Sequence, residues 1–155
     1  MKNILITGGS RGIGKEIVKI CHKNNFKVHF TYSNNLVSAK KLLDELNSEN
    51  ISFSQCNLNN YDDIKKLFVN IKERFDFLDG LVNNAGISGG IVSIKDFSKK
   101  IIDEVFEINV KGLIHCCKES LPMMSKNKGA RGGSIVNISS MASTIGGRNG
   151  RTLYA

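Results

Sequence analysis

The sequence predicts an α/β fold, an open and mostly parallel sheet doubly wound by helices on both faces. Three observations carry that prediction. Short apolar runs alternate with amphipathic helical patterns along the whole 155-residue chain. Parallel strands need long crossovers, and the intervening helical patterns supply them. The first apolar run leads directly into Thr7-Gly8-Gly9-Ser10-Arg11-Gly12-Ile13-Gly14, a glycine loop that opens a helix. Right-handed crossovers then make the sheet Rossmann-type, with ligands bound beyond the carboxyl ends of its strands.

Taken in order, residues 2–7 form the first strand, with Ile4, Leu5 and Ile6 as its apolar run. Residues 12–24 form a helix with Ile13, Ile17 and Ile20 on one face and Val18 and Cys21 beside them. Residues 27–31 form the second strand. Residues 36–48 form a helix with Ala39, Leu42, Leu43 and Leu46 inward, and residues 51–56 form the third strand. Residues 61–75 carry the clearest period: Ile64, Leu67, Phe68, Ile71 and Phe75 fall on one helical face. Asn60 is placed to cap that helix, with Asp62 and Asp63 against its positive end. Residues 78–82 form the fourth strand, residues 99–125 one long helix, and residues 133–139 the fifth strand. The unusual loops 7–14, 33–35, 57–60, 83–90 and 139–150 all follow strands.

The glycine loop has a physical use. Glycines let the backbone approach a pyrophosphate, and the free N–H groups of a helix start attract it. The spacing T-G-x-x-x-G-x-G differs from the commoner G-x-G-x-x-G. Taken alone, such a loop is equally a helix start with flexible glycines. Likewise Asn83-Asn84-Ala85-Gly86 after the fourth strand reads either as a plain turn or as a ligand-facing strand end.

Composition bounds the rest. The length suits a single domain, residues 1–155, with no linker or repeat. The formal charge is +8 and the pI near 9.4. The basic residues are scattered and no aromatic stacking motif accompanies them, so nucleic acid is not the expected partner. Cys21, Cys56, Cys116 and Cys117 lack metal-ligand spacing, and His22, His29 and His115 are isolated; no metal site is expected. Free thiols, no signal peptide and no membrane span predict a cytoplasmic protein.

Gly133-Ser134-Ile135-Val136-Asn137-Ile138-Ser139-Ser140 and the later Tyr154 complete a pattern. With the glycine loop and Asn83-Asn84-Ala85-Gly86, they resemble the classical short-chain dehydrogenase/reductase family. The match runs in order along the whole chain and looks most like the 3-oxoacyl-carrier-protein reductase and sugar dehydrogenase branch. The resemblance implies hydride transfer between a nicotinamide and a small carbonyl or secondary alcohol. Gly8, Gly12 and Gly14 would be cofactor glycines, with Ser10, Arg11 and Ile13 between them. Asn83, Ala85 and Gly86 would line the adenosine side. Asn57 and Leu58 match an adenine-contacting pair whose first member is usually Asp.

Asn109, in Asn109-Val110-Lys111-Gly112, matches the active-site Asn that holds a water in the proton relay. Ser140, rather than Ser139, matches the catalytic serine that bonds the carbonyl oxygen. Tyr154 matches the residue that gives or takes the hydroxyl proton. Ser140 and Tyr154 are 14 positions apart. That is longer than in much of the family, so a small insertion is expected within residues 146–151.

Cofactor choice has its own argument. A carboxylate after the second strand holds the ribose hydroxyls of NAD(H) and repels a 2′-phosphate. This chain reads Thr31-Tyr32-Ser33-Asn34-Asn35 there, with no acid. The Arg11 guanidinium suits the phosphate, so NADP(H) is expected over NAD(H), with Ser33 and Asn34 among the cofactor-binding residues.

The family pattern places a lysine four residues after the tyrosine, then a helix and two further strands. Position 155 precedes all of these, so about five of the family's seven strands are expected here. An unassisted tyrosine has a pKa of about 10 and is barely ionised at pH 7. Poor or no activity is therefore expected of this chain, with an exposed fifth strand and long helix. The family's homo-oligomer interface also lies in that later region, so such assembly is not expected of this chain. Two readings stay beside the enzyme: a nucleotide-binding protein without turnover, and a basic interaction module.

Overall fold

The computed structural model describes residues 1–147 and 150–155. Five parallel strands form one sheet: β1 (Asn3–Ile6), β2 (Lys27–Tyr32), β3 (Ile51–Gln55), β4 (Gly80–Asn83) and β5 (Ser134–Asn137), in the order β3-β2-β1-β4-β5. The order reverses between β1 and β4, so a crevice opens beyond their carboxyl ends.

Two cores follow from strand alternation. Leu5 and Leu81 point to one face and pack with α3 (Tyr61–Arg74) and α5 (Leu113–Met124). Ile4, Ile6, Val28 and Phe30 point to the other and pack with α1 (Gly12–Lys23) and α2 (Leu36–Leu46). The structure is thus the doubly wound α/β sheet expected. Helix α3 matches its pattern: Ile64, Leu67, Phe68, Ile71 and Phe75 are all buried, and Asn60 Oδ1 caps the N–H of Asp62 at 2.9 Å.

Three elements differ from the sequence reading. In α1 the isoleucines divide: Ile17 is half-buried against the core beside the buried Gly14 and Val18, whereas Ile13 and Ile20 are 65% and 61% exposed. The cause is Gly14, which must turn inward against the Gly8 carbonyl and so sets the helix's rotation. The long helix is interrupted. α4 (Lys99–Phe106) and α5 are joined by a π-helical segment, Glu107–Gly112. Such a bulge leaves no trace in a period of apolar residues. The fifth strand is shorter than 133–139 and lies at the sheet edge, with Ile135 and Val136 exposed. A short helix, α6 (Ala142–Ile145), follows it. Of the expected insertion within 146–151, Arg148 and Asn149 lie outside the described residues.

Candidate functional site

The glycine loop lies at the crevice and is tied to strands on both sides. Toward β2, the Gly8 N–H donates to Thr31 Oγ1 at 3.2 Å and the Gly9 N–H to the Thr31 carbonyl at 2.9 Å. Toward β4, the fully buried Thr7 hydroxyl accepts from the N–H groups of Asn84 and Ala85, each at 3.1 Å. Asn84 Nδ2 returns two bonds at 3.0 Å, to the carbonyls of Thr7 and Gly8.

This clamping explains the glycines. A Cβ on Gly14 would lie 2.3 Å from the Gly8 oxygen and 2.4 Å from Asn84 Nδ2. One on Gly8, whose φ is +66°, would meet the Ala85 Cα at 2.9 Å. Gly9 carries equal constraint, since its Cβ would sit 2.5 Å from that of Phe30. Gly12 differs: it has φ +56° and open space around it. Arg11 precedes α1 in an extended conformation, no side chain caps the helix, and its first turn holds no acid. Ser10 is buried beneath the loop, whereas Arg11, Gly12 and Ile13 are exposed. The result is an uncapped helix start beside a basic side chain, an arrangement able to attract an anion.

Two nearby loops complete the crevice. After β2, Ser33 and Asn34 are exposed and the Ser33 hydroxyl donates to Asn34 Oδ1 at 3.2 Å. After β3, Asn57 accepts from the Asn59 N–H at 3.5 Å, a local turn. Leu58 is buried in the core, and its carbonyl lies against Gly112.

The adjacent asparagines divide the work in a way that residue type cannot show. Asn83 is buried, and its Nδ2 donates to Asn137 Oδ1 at 2.9 Å and Cys117 Sγ at 3.3 Å. It therefore joins β4 to β5 and α5 rather than facing the crevice. Asn84, Thr7 and Gly9 are the residues that sequence reasoning missed. Thr7 and Asn84 are 77 residues apart, and no local signal links them.

On the other wall, the π-segment presents Asn109 to the loop after β4. Its Oδ1 accepts from the Ile87 N–H at 2.9 Å and its Nδ2 donates to the Ile87 carbonyl at 2.8 Å. Both ends of the amide are thus engaged, and a Cβ on Gly86 would touch Asn109 Oδ1 at 3.3 Å. Gly112 lets the segment lie on Leu58, where a Cβ would approach the Leu58 oxygen to 2.8 Å.

Ser140 follows β5, and its Oγ accepts from the Ala142 N–H at 3.2 Å; among the described residues its own proton has no acceptor. Tyr154 is 38% exposed, on a turn closed by its N–H to the Arg151 carbonyl at 3.1 Å. That terminal segment returns to the β4 loop: the Val92 N–H donates to the Gly150 carbonyl at 2.9 Å, and Leu153 packs by Gly89.

The isolated side chains settle elsewhere. His29 is buried, with its ring nitrogens 2.9 Å from the hydroxyls of Ser52 and Ser54; burial and then the Arg74 charge lower its pKa to about 4. Burial pushes the Cys56 thiol up to about 12 and the Cys116 thiol higher still. His115 stacks on Tyr61 with ring centroids 4.2 Å apart. Among the described residues, no three His, Cys, Asp or Glu side chains gather as a metal site. Among the same residues, no helix is long and apolar enough to cross a membrane.

Known proteins resemble this chain in sequence and fold. A family model described as short chain dehydrogenase matches residues 2–155. The chain is 39% identical over 145 residues to (+)-borneol dehydrogenase 2 of Salvia officinalis, covering 92% of this chain and 50% of that one. It is 31% identical over 147 residues to the 3-oxoacyl-[acyl-carrier-protein] reductase of Staphylococcus aureus, covering 94% and 58%. A short chain dehydrogenase from Burkholderia cenocepacia in complex with NADP superposes with TM-score 0.89 at 29% identity, over 99% of this chain and 61% of that one. An NADH-dependent reductase complexed with NAD superposes with TM-score 0.87 at 25% identity, over 99% and 65%. The chain thus spans about half to three fifths of the length of the curated relatives it matches. On the family match, and with the fold and glycine loop described above, this chain belongs to the short-chain dehydrogenase family.

Proposed function

We propose that this chain binds NADP(H) and serves hydride transfer between the nicotinamide and a small carbonyl compound or secondary alcohol. The observation that carries the reading is the clamped glycine loop: an uncapped helix start, crowded at Gly8 and Gly14 but open at Gly12. Those features fit a pyrophosphate, which needs free N–H groups and close backbone approach. Arg11, Ser33 and Asn34, with no acid after β2, favour a 2′-phosphate over a bare ribose. Names among the relatives and neighbours include both NADP and NAD, so the preference rests on these residues.

The nicotinamide, when bound, supplies or accepts the hydride. Ser140 donates a hydrogen bond to the substrate oxygen, where negative charge develops in the transition state. Tyr154 gives or takes the hydroxyl proton. Asn109 acts on the proton path from the π-segment while its amide holds the Ile87 loop in register.

Calorimetric titration of the 155-residue chain with NADPH and NADH tests the cofactor; tighter NADH binding overturns the preference. Reduction of a ketone panel with NADPH tests the chemistry. The 155-residue chain is expected to turn over poorly or not at all; in a form that does turn over, Tyr154→Phe and Ser140→Ala are expected to lower kcat/KM by about 10²–10⁴-fold with NADPH affinity nearly unchanged. NADPH binding without turnover on any carbonyl would leave a nucleotide-binding protein.

A further inference from the structure

The loop after β2 is held by a side chain that the roles above leave unused. Gln55 ends β3 and pairs with Tyr32 in the parallel register. It is exposed, yet its Nε2 donates to the Ser33 carbonyl at 2.8 Å. Beside it the Cys56 N–H donates to the Tyr32 carbonyl at 2.9 Å. The first carbonyls of the loop are therefore fastened to the end of β3. At the far side, Asn35 Oδ1 accepts from the Ser38 N–H at 2.9 Å and closes the loop onto α2. Ser33 and Asn34 lie between these fastenings.

A polar loop that is ordered only on binding loses affinity to that ordering, and a preset loop does not. We propose that Gln55 is a specificity-determining positioning residue: by fixing the Ser33 carbonyl, it presets Ser33 and Asn34 to receive a 2′-phosphate. Its action on the phosphate runs through the loop, by the bond to the Ser33 carbonyl. The inference rests on the NADP(H) reading above. Gln55 serves the 2′-phosphate alone, because the fastened loop is the part of the crevice where the ribose 2′ position meets the protein.

Two variants of the 155-residue chain test this. Gln55→Leu keeps the size and removes the donor. Gln55→Glu replaces the donor with a carboxylate that repels both the Ser33 carbonyl and a phosphate. The ligands are 2′,5′-ADP and 5′-AMP, which differ by the 2′-phosphate. Gln55→Leu is expected to weaken 2′,5′-ADP about threefold to tenfold and to leave 5′-AMP within about twofold. Gln55→Glu is expected to weaken 2′,5′-ADP further. An unchanged Tm shows that the variants are folded.

Equal weakening of both ligands overturns the proposal, because it shows a bond that only stabilises the sheet edge. A full 2′,5′-ADP preference in Gln55→Leu overturns it alone. A parent chain without that preference overturns the NADP(H) reading and this inference with it.

Discussion

Thr7→Val tests the joint on which the crevice depends. Valine keeps the shape of threonine and removes only the hydroxyl. That hydroxyl accepts from two backbone N–H groups, Asn84 and Ala85, each at 3.1 Å, and Thr7 is fully buried. A buried donor left without a partner costs about 1–3 kcal/mol. Asn84 and Ala85 are only half-buried, so the lower half of that range applies to each. Together they predict a loss of about 2–4 kcal/mol, a large share of a total of about 5–15 kcal/mol. In a domain of this size that lowers Tm by roughly 5–15 °C. Thr7→Ser is the control: it keeps the hydroxyl and loses a methyl, at about 1 kcal/mol. Urea unfolding of the parent and both variants reads the order directly. Expected stability runs parent, then Ser, then Val. A Val variant as stable as the Ser variant refutes the assignment of the hydroxyl as the joint between β1 and the β4 loop.

Gly14→Ala places a methyl 2.3 Å from the Gly8 carbonyl oxygen, so it is expected to cost several kcal/mol by urea unfolding and to abolish NADPH binding by calorimetry. His29 gives a pH dependence with a definite sign. Its folded pKa of about 4 lies below the ordinary 6.5, so its contribution is complete above pH 6.5 and is lost as pH falls toward 4. The loss amounts to about 2 kcal/mol between pH 7 and pH 4.5 and is read by urea unfolding at the two pH values; His29→Gln is expected to flatten it. Arg11→Ala is expected to weaken NADPH by about tenfold while changing NADH little, measured by calorimetry at low and high salt, with the difference shrinking in salt.

Helix α3 and the glycine loop were legible in the sequence because both depend on near neighbours. Ile64, Leu67, Phe68 and Ile71 declare a helix face by spacing, and Asn60 declares its start. The alternation of strand and helix is likewise local, and chirality then leaves few topologies. The resemblance carried by Asn83-Asn84-Ala85-Gly86, Ser140 and Tyr154 supplied the family. What stayed hidden depended on distant contacts. Spacing puts Ile13 and Ile20 on one face of α1, but Gly14 meeting the Gly8 carbonyl decides which face is buried.

The same division holds at the site. Composition and motif determined a crevice for a dinucleotide and an absence of acid after β2. Only the tertiary structure decided that Asn84 clamps the glycine loop while Asn83 joins the strands. It also decided that a π-segment turns Asn109 onto Ile87, and that Gln55 holds Ser33. The physical reason is directional: a hydrogen bond across 22 or 77 residues needs both partners placed within about 3 Å, and a local pattern carries no record of that placement.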